Sequence, residues 1–194
     1  MTEPTGWLFG GWNPPLRGKP HDDRLKLRNQ SDRQNGRELE LGRAAEHLVC
    51  ADLLLDGWAA YPTAQGMPYD LVVDIGARLI RLQVKSTFYP KNPQPNARAT
   101  PAYFFSIRRA GRGGGRVYRA NEFDAYALVA LDRRLIAYFA TVELPKQSAV
   151  IRVPGARYGG GPTPDRQFET ATFAHMIEIL QHQEIAKHAH TAEQ

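Results

Sequence analysis

The chain has one cysteine in 194 residues, Cys50. A single thiol excludes an internal disulfide, and with it the cross-linked scaffolds of small secreted proteins. Cys50 lies in "AAEHLVCADLLL", where its apolar neighbours point to a buried thiol on a helix and not to a nucleophile. No apolar run approaches the roughly 20 residues that span a bilayer. The opening "MTEPTGWLFGGW" lacks the basic flank and apolar core of a secretory signal, so a cytoplasmic protein is expected. Internal repeats are absent, and so is low complexity beyond a short Gly/Arg run. There is no acidic excess either. The formal charge is +5 and the pI about 9.5, which permits a nucleic-acid partner without establishing one.

What is present is an ordinary globular composition, 42% apolar and 23% charged, in a chain long enough for one domain with a real core. Residues 1–36 read as an irregular N-terminal arm, rich in Gly, Pro, Asn and charge. Trp7, Leu8, Phe9 and Trp12 are too apolar for a free tail and are expected to dock on the domain or on a second subunit. "RELELGRAAEHLVCADLLLD", residues 37–56, carries a wide apolar stripe at helical spacing, with Gly57 placed to cap its end. "WAAYP" reads as a short strand, and "YDLVVDIGARLIRLQVKST" as a hairpin. "AYFFSIRR", "AYALVALD" and "RRLIAYFATVEL" follow as further strands, with the second buried on both faces. "YGGGPTPD" reads as a linker, and Asp165 as the cap of a last helix, "RQFETATFAHMIEILQHQ". The order predicts an α/β domain with a central mixed β-sheet flanked by helices. Its core is expected over residues 37–145, and residues 146–194 as linker, C-terminal helix and frayed tail.

The hairpin carries the chemistry. Side chains alternate along a strand. Asp70, Val72 and Asp74 therefore share one face with Arg81, Gln83 and Lys85, while Leu71, Val73, Ile80, Leu82 and Val84 take the other. With Gly76 and Ala77 as a two-residue turn, residue 72 pairs with 81 and Asp70 stands opposite Gln83. A solvated polar face would look the same. The preceding helix adds a second feature, since Gly42 and Glu46 lie four apart on one side of it. A glycine in mid-helix costs about 1 kcal/mol relative to alanine, which suggests a close approach of the helix backbone. If the helix packs across the hairpin, Glu46 reaches Asp70 and Gln83. Two carboxylates and an amide oxygen are hard ligands that suit Mg²⁺, and an adjacent Lys85 can orient a water or hold a phosphate oxygen.

The helix with Gly42 and Glu46, then "PYD", a hairpin and "QVK" resemble the PD-(D/E)XK nuclease superfamily. Pro68 and Asp70 match the first half of the signature. Gln83 and Lys85 match the second, with Gln83 in place of the usual acid. Together with "DAYALVALDRRLIAYFATVEL", the pattern is most similar to the branch of intron-encoded homing endonucleases and archaeal-type Holliday-junction resolvases. It covers about residues 37–145. The resemblance implies a restriction-endonuclease-like core and Mg²⁺-dependent hydrolysis of DNA, with Mn²⁺ as a substitute, by a homodimer or homotetramer. It also implies Glu46 and Asp70 as acidic metal ligands, Gln83 in the third ligand position and Lys85 as the catalytic lysine. For DNA contact the sequence offers "RRAGRGGGRVYR", with Arg108, Arg109, Arg112, Arg116 and Arg119 among glycines.

Overall fold

The computed structural model describes residues 30–91, 101–109, 116–119, 121–155 and 166–192. The chain runs α1 (Gln30–Leu55), β1 (Ala59–Pro62), β2 (Leu71–Asp74), β3 (Leu79–Thr87), β4 (Ala102–Ser106), β5 (Ala125–Ala130) and β6 (Leu135–Ala140). A single 3₁₀ turn (Thr141–Glu143), β7 (Ser148–Arg152) and α2 (Phe173–Ala192) complete it. Three layers result. Both helices cover one face of a five-stranded sheet of order β1-β2-β3-β5-β6, and the two-stranded sheet β4-β7 covers the other. The large sheet is mixed, because β3 and β5 run parallel and all other pairs antiparallel.

Alternation along the strands sorts side chains into two cores. Towards the helices point Leu71, Val73, Ile80, Leu82 and Val84, which pack on Ala45, Val49 and Leu53 of α1 and Met176 and Leu180 of α2. Towards the small sheet point Tyr126, Leu128 and Phe139, which meet Tyr103, Phe105 and Ile151. Every residue of β5 is buried, as its double-faced apolar pattern requires.

The hairpin register is the one expected, with Leu71 opposite Leu82 and Val72 opposite Arg81. Ile75 N–H donates to the Arg78 carbonyl at 3.1 Å, and Gly76 supplies the positive φ (81°) that the first position of this turn requires. At the end of α1, Gly57 N–H donates to the Leu54 carbonyl and Trp58 N–H to that of Leu53. These paired bonds, with Gly57 at φ 87°, close the helix in a Schellman motif.

α1 packs across the hairpin on its apolar face, opposite to the face that carries Gln83 and Lys85, because Ala45, Val49 and Leu53 need apolar partners. Three expectations are corrected. Among the described residues a Cβ at Gly42 would meet nothing within 4 Å, so no close approach there explains that glycine. The last helix begins at Phe173, not near Arg166. Thr172 Oγ1 accepts from His175 N–H at 3.2 Å and caps it, while Asp165 lies outside the described residues. The stretch expected as a linker also holds β7, which pairs with β4. Arm residues Trp7 to Trp12 lie outside the described residues as well.

Candidate active site

Strand β2 starts at Leu71, whereas β3 runs on to Thr87, so the two strands part at Asp70. Asp70 N–H still donates to the Leu82 carbonyl at 2.8 Å. Its side chain then does what the next backbone group would have done, and Asp70 Oδ2 accepts from Val84 N–H at 2.7 Å. The same oxygen accepts from Gln83 Nε2, which also donates to the Val84 carbonyl at 3.3 Å. Gln83 is only 8% exposed, and among the described residues it is the one buried polar side chain. Asp70 Oδ1 takes no hydrogen bond among the described residues.

Lys85 follows two residues along the same face. Its Nζ donates to Tyr118 Oη at 2.8 Å and to the Arg108 carbonyl at 3.2 Å. It makes no ion pair with Asp70 within 4.0 Å. Glu46 arrives from the side. It sits on α1 beside buried Ala45, half-buried at the margin of the packed stripe. Because the strands part at Asp70, the helix reaches the polar cluster past the end of β2. Glu46, Asp70, Lys85, Arg108 and Arg109 line one open groove of about 1530 Å³, with Gly42 in its wall.

The electrostatics follow from partial burial. Burial pushes the Asp70 carboxyl above its ordinary value, against the opposing effects of Val84 N–H, Lys85 and Gln83. Burial, then the charge of Asp70, raises Glu46. Burial lowers Lys85, and Asp70 offsets part of this. Two half-buried carboxylates, each held above its solution value, form an arrangement that a cation relieves. Cys50 is buried at the Ala60 carbonyl, and burial raises its thiol, in keeping with an inert role.

Glu46 and Asp70 therefore fit a hard divalent cation by donor type and by an Oδ1 that takes no hydrogen bond among the described residues. Gln83 turns its Nε2 towards Asp70, and as a ligand it would present Oε1 from the same position. No group of three or more His, Cys, Asp or Glu side chains set to hold a metal occurs among the described residues. The five arginines separate. Arg108 and Arg109 line the groove. Arg116 pairs with Glu122 at 3.0 Å, and Arg119 lines another cavity of about 660 Å³ beside Asp124. Arg112 lies outside the described residues.

Sequence reasoning missed Tyr118, the side-chain partner of Lys85. It stood in a basic loop with no periodicity to give it a direction. It also missed the ion pair between Arg81 and Asp124, 43 positions apart, in which three Arg81 N–H groups reach the carboxylate at 2.8–3.0 Å.

A mixed sheet between two helices and a smaller sheet has a solved counterpart. The bacterial homing endonuclease I-Ssp6803I is similar over 75% of this chain and 95% of its own, at 20% identity and a TM-score of 0.52. The architecture is thus a restriction-endonuclease-like α/β fold. The family model of the PD-(D/E)XK endonucleases matches residues 38–162, and the chain belongs to that family. No curated protein matches it. Among the described residues no helix is long and apolar enough to cross a membrane.

Proposed function

We propose that the chain is a metal-dependent DNA endonuclease that hydrolyses phosphodiester bonds at the groove between α1 and β3. The observation that carries this reading is the meeting of Glu46, Asp70 and Lys85 in one groove rimmed by Arg108 and Arg109. Glu46 and Asp70 would hold Mg²⁺, or Mn²⁺ in its place, with Gln83 at the third ligand position. The cation supplies a Lewis acid for the scissile phosphate and its attacking water. Gln83 and Val84 N–H fix Asp70 Oδ2 and leave Oδ1 for the ligand role. Lys85 keeps an N–H for the water or a phosphate oxygen. Arg108 and Arg109 hold flanking phosphates. A homodimer or homotetramer is proposed from the superfamily resemblance, and sedimentation would measure it.

Gln83 favours a second reading, a silent nuclease fold that serves DNA binding or assembly. An amide brings no charge where the signature has an acid. Cleavage of supercoiled plasmid and of a four-way junction, with Mg²⁺, Mn²⁺ or EDTA, separates the two. The endonuclease reading expects metal-dependent cutting that Asp70→Ala and Lys85→Ala abolish. Cutting that survives both substitutions would sink it, and DNA binding without any cutting would favour the silent module.

A further inference from the structure

We propose that Tyr118 is a positioning residue for Lys85. Its hydroxyl and the Arg108 carbonyl form a two-point rest that aims the third N–H of the ammonium into the groove. The inference rests on the reading of Lys85 as the lysine of the active site.

A lysine side chain has four rotatable bonds, and fixing it costs rotamer entropy. Its ammonium has three donors in a tripod. When two donors are held by fixed acceptors, the direction of the third is set. Both acceptors are fixed here. The Arg108 carbonyl belongs to the backbone that leaves β4, and Arg109 is locked there by a two-way bridge to Arg116 at 2.9 and 3.1 Å. The Tyr118 ring is wedged edge-on against Phe123 at 4.8 Å and against Tyr126 at 6.3 Å, and Tyr126 lies in the fully buried β5. Lys85 Nζ lies 5.1 Å from the Tyr118 ring centroid, beyond the ring edge, so it is the hydroxyl that holds the cation.

The chemistry of the acceptors matters as much as their place. Both are neutral oxygens. A carboxylate at either point would neutralise the ammonium and hold it in an ion pair. Burial raises the Tyr118 phenol to about 12, so it stays neutral at working pH. Lys85 is thus oriented without being paired: it makes no ion pair with Asp70 within 4.0 Å, and Asp70 Oδ1 takes no hydrogen bond among the described residues.

The test is Tyr118→Phe, which keeps the ring and its packing and removes only the acceptor. Single-turnover cleavage of supercoiled plasmid with Mn²⁺ should slow about tenfold or more, with plasmid affinity unchanged. In a Lys85→Ala background the same substitution should have no further effect. An activity-independent readout is the Lys85 ammonium signal in ¹⁵N NMR of the full chain. It should be observable and rotationally restricted in the parent and lost to exchange in Tyr118→Phe. An equally ordered ammonium in Tyr118→Phe would overturn the proposal. So would parental cleavage by Tyr118→Phe while Lys85→Ala is inactive. Parental cleavage by Lys85→Ala would instead remove the active-site reading itself.

Discussion

Replacing Gln83 by Glu restores the acid of the family signature and should make the protein depend on a cation for stability. In the structure Gln83 donates to Asp70 Oδ2 and to the Val84 carbonyl, and the side chain is 8% exposed. A glutamate loses both donors and sets a carboxylate against a carboxylate and a carbonyl oxygen. Two like charges about 4 Å apart at an effective dielectric of 20 repel by about 4 kcal/mol. Proton uptake by one of them limits the cost, since keeping a carboxyl with an ordinary value near 4.3 protonated at pH 7 costs about 3.7 kcal/mol. Asp70 is only part-buried, so water screens the pair and a loss of about 2–3 kcal/mol is expected. A cation at about 100 times its dissociation constant returns about 2.7 kcal/mol. The assay is urea unfolding of parent and Gln83→Glu in EDTA and over a Mg²⁺ series. The variant should unfold at lower urea in EDTA, and the gap should close as Mg²⁺ rises. Equal midpoints in EDTA would refute the placement of the amide against Asp70. A gap that ignores Mg²⁺ would refute the cation site.

Three further outcomes are expected. Asp124 should support the fold with a characteristic pH dependence. Burial would raise its carboxyl, but the Arg81 hydrogen bonds outweigh this and hold it below its ordinary 3.8. A folded value below the unfolded one means that the stabilisation is complete above about pH 4 and fades as pH falls through the folded value. Asp124→Asn should therefore cost about 1–2 kcal/mol at pH 7, discounted for the part-exposed guanidinium, with the gap to the parent shrinking below pH 4 in denaturant titrations. The same substitution at two glycines should act with opposite sign, since neither position crowds a Cβ. Gly42→Ala in mid-helix should raise stability by about 1 kcal/mol, and Gly57→Ala at φ 87° should lower it by about 1 kcal/mol, each moving the melting temperature by about 2–4 °C. Arg108→Ala with Arg109→Ala should flatten the salt dependence of DNA binding by up to about 2 in log–log slope, whereas Arg116→Ala, whose guanidinium is held by Glu122, should change it less.

The hairpin was legible down to its register because two strong local signals agreed. A glycine stood at the one turn position that needs positive φ, and a strict apolar alternation would be turned inside out by a one-residue slip. The end of α1 was legible for the same reason, with Gly57 at the end of an apolar stripe. Candidate residues Asp70, Gln83 and Lys85 were readable from parity alone. How Glu46 joins them was not. Helical spacing left open which face of the hairpin α1 covers, since amphipathicity says which side of a helix is buried and not what covers it. The route past the end of β2 depends on where two strands part, and that is set by Asp70 taking over a backbone bond. Short β7 escaped notice because "SAVIR" beside Gly- and Pro-rich chain carries too few alternations to stand out, and its partner β4 lies more than 40 residues away. Last, the start of α2 was placed too early, because "RQFETATF" fits helical spacing while Phe168 and Phe173 find room in separate cores.

No backbone ladder ties the small sheet β4-β7 to the larger one among the described residues, though Ala102 at its edge bridges Lys91 outside both sheets. Its hold is the packing of Tyr103, Phe105 and Ile151 on Tyr126, Leu128 and Phe139. Such a layer is suited to lift as one cooperative unit while the sheet beneath keeps its bonds. The Arg108 carbonyl leaves with it, and the Arg109–Arg116 bridge draws the Tyr118 segment along. Hydrogen exchange should then find β4 and β7 amides opening together, at lower free energy than those of β3 and β5. In that open form the carboxylates stay where they are while the lysine loses its aim, so the protein would possess a folded yet disarmed state, reached by undocking alone.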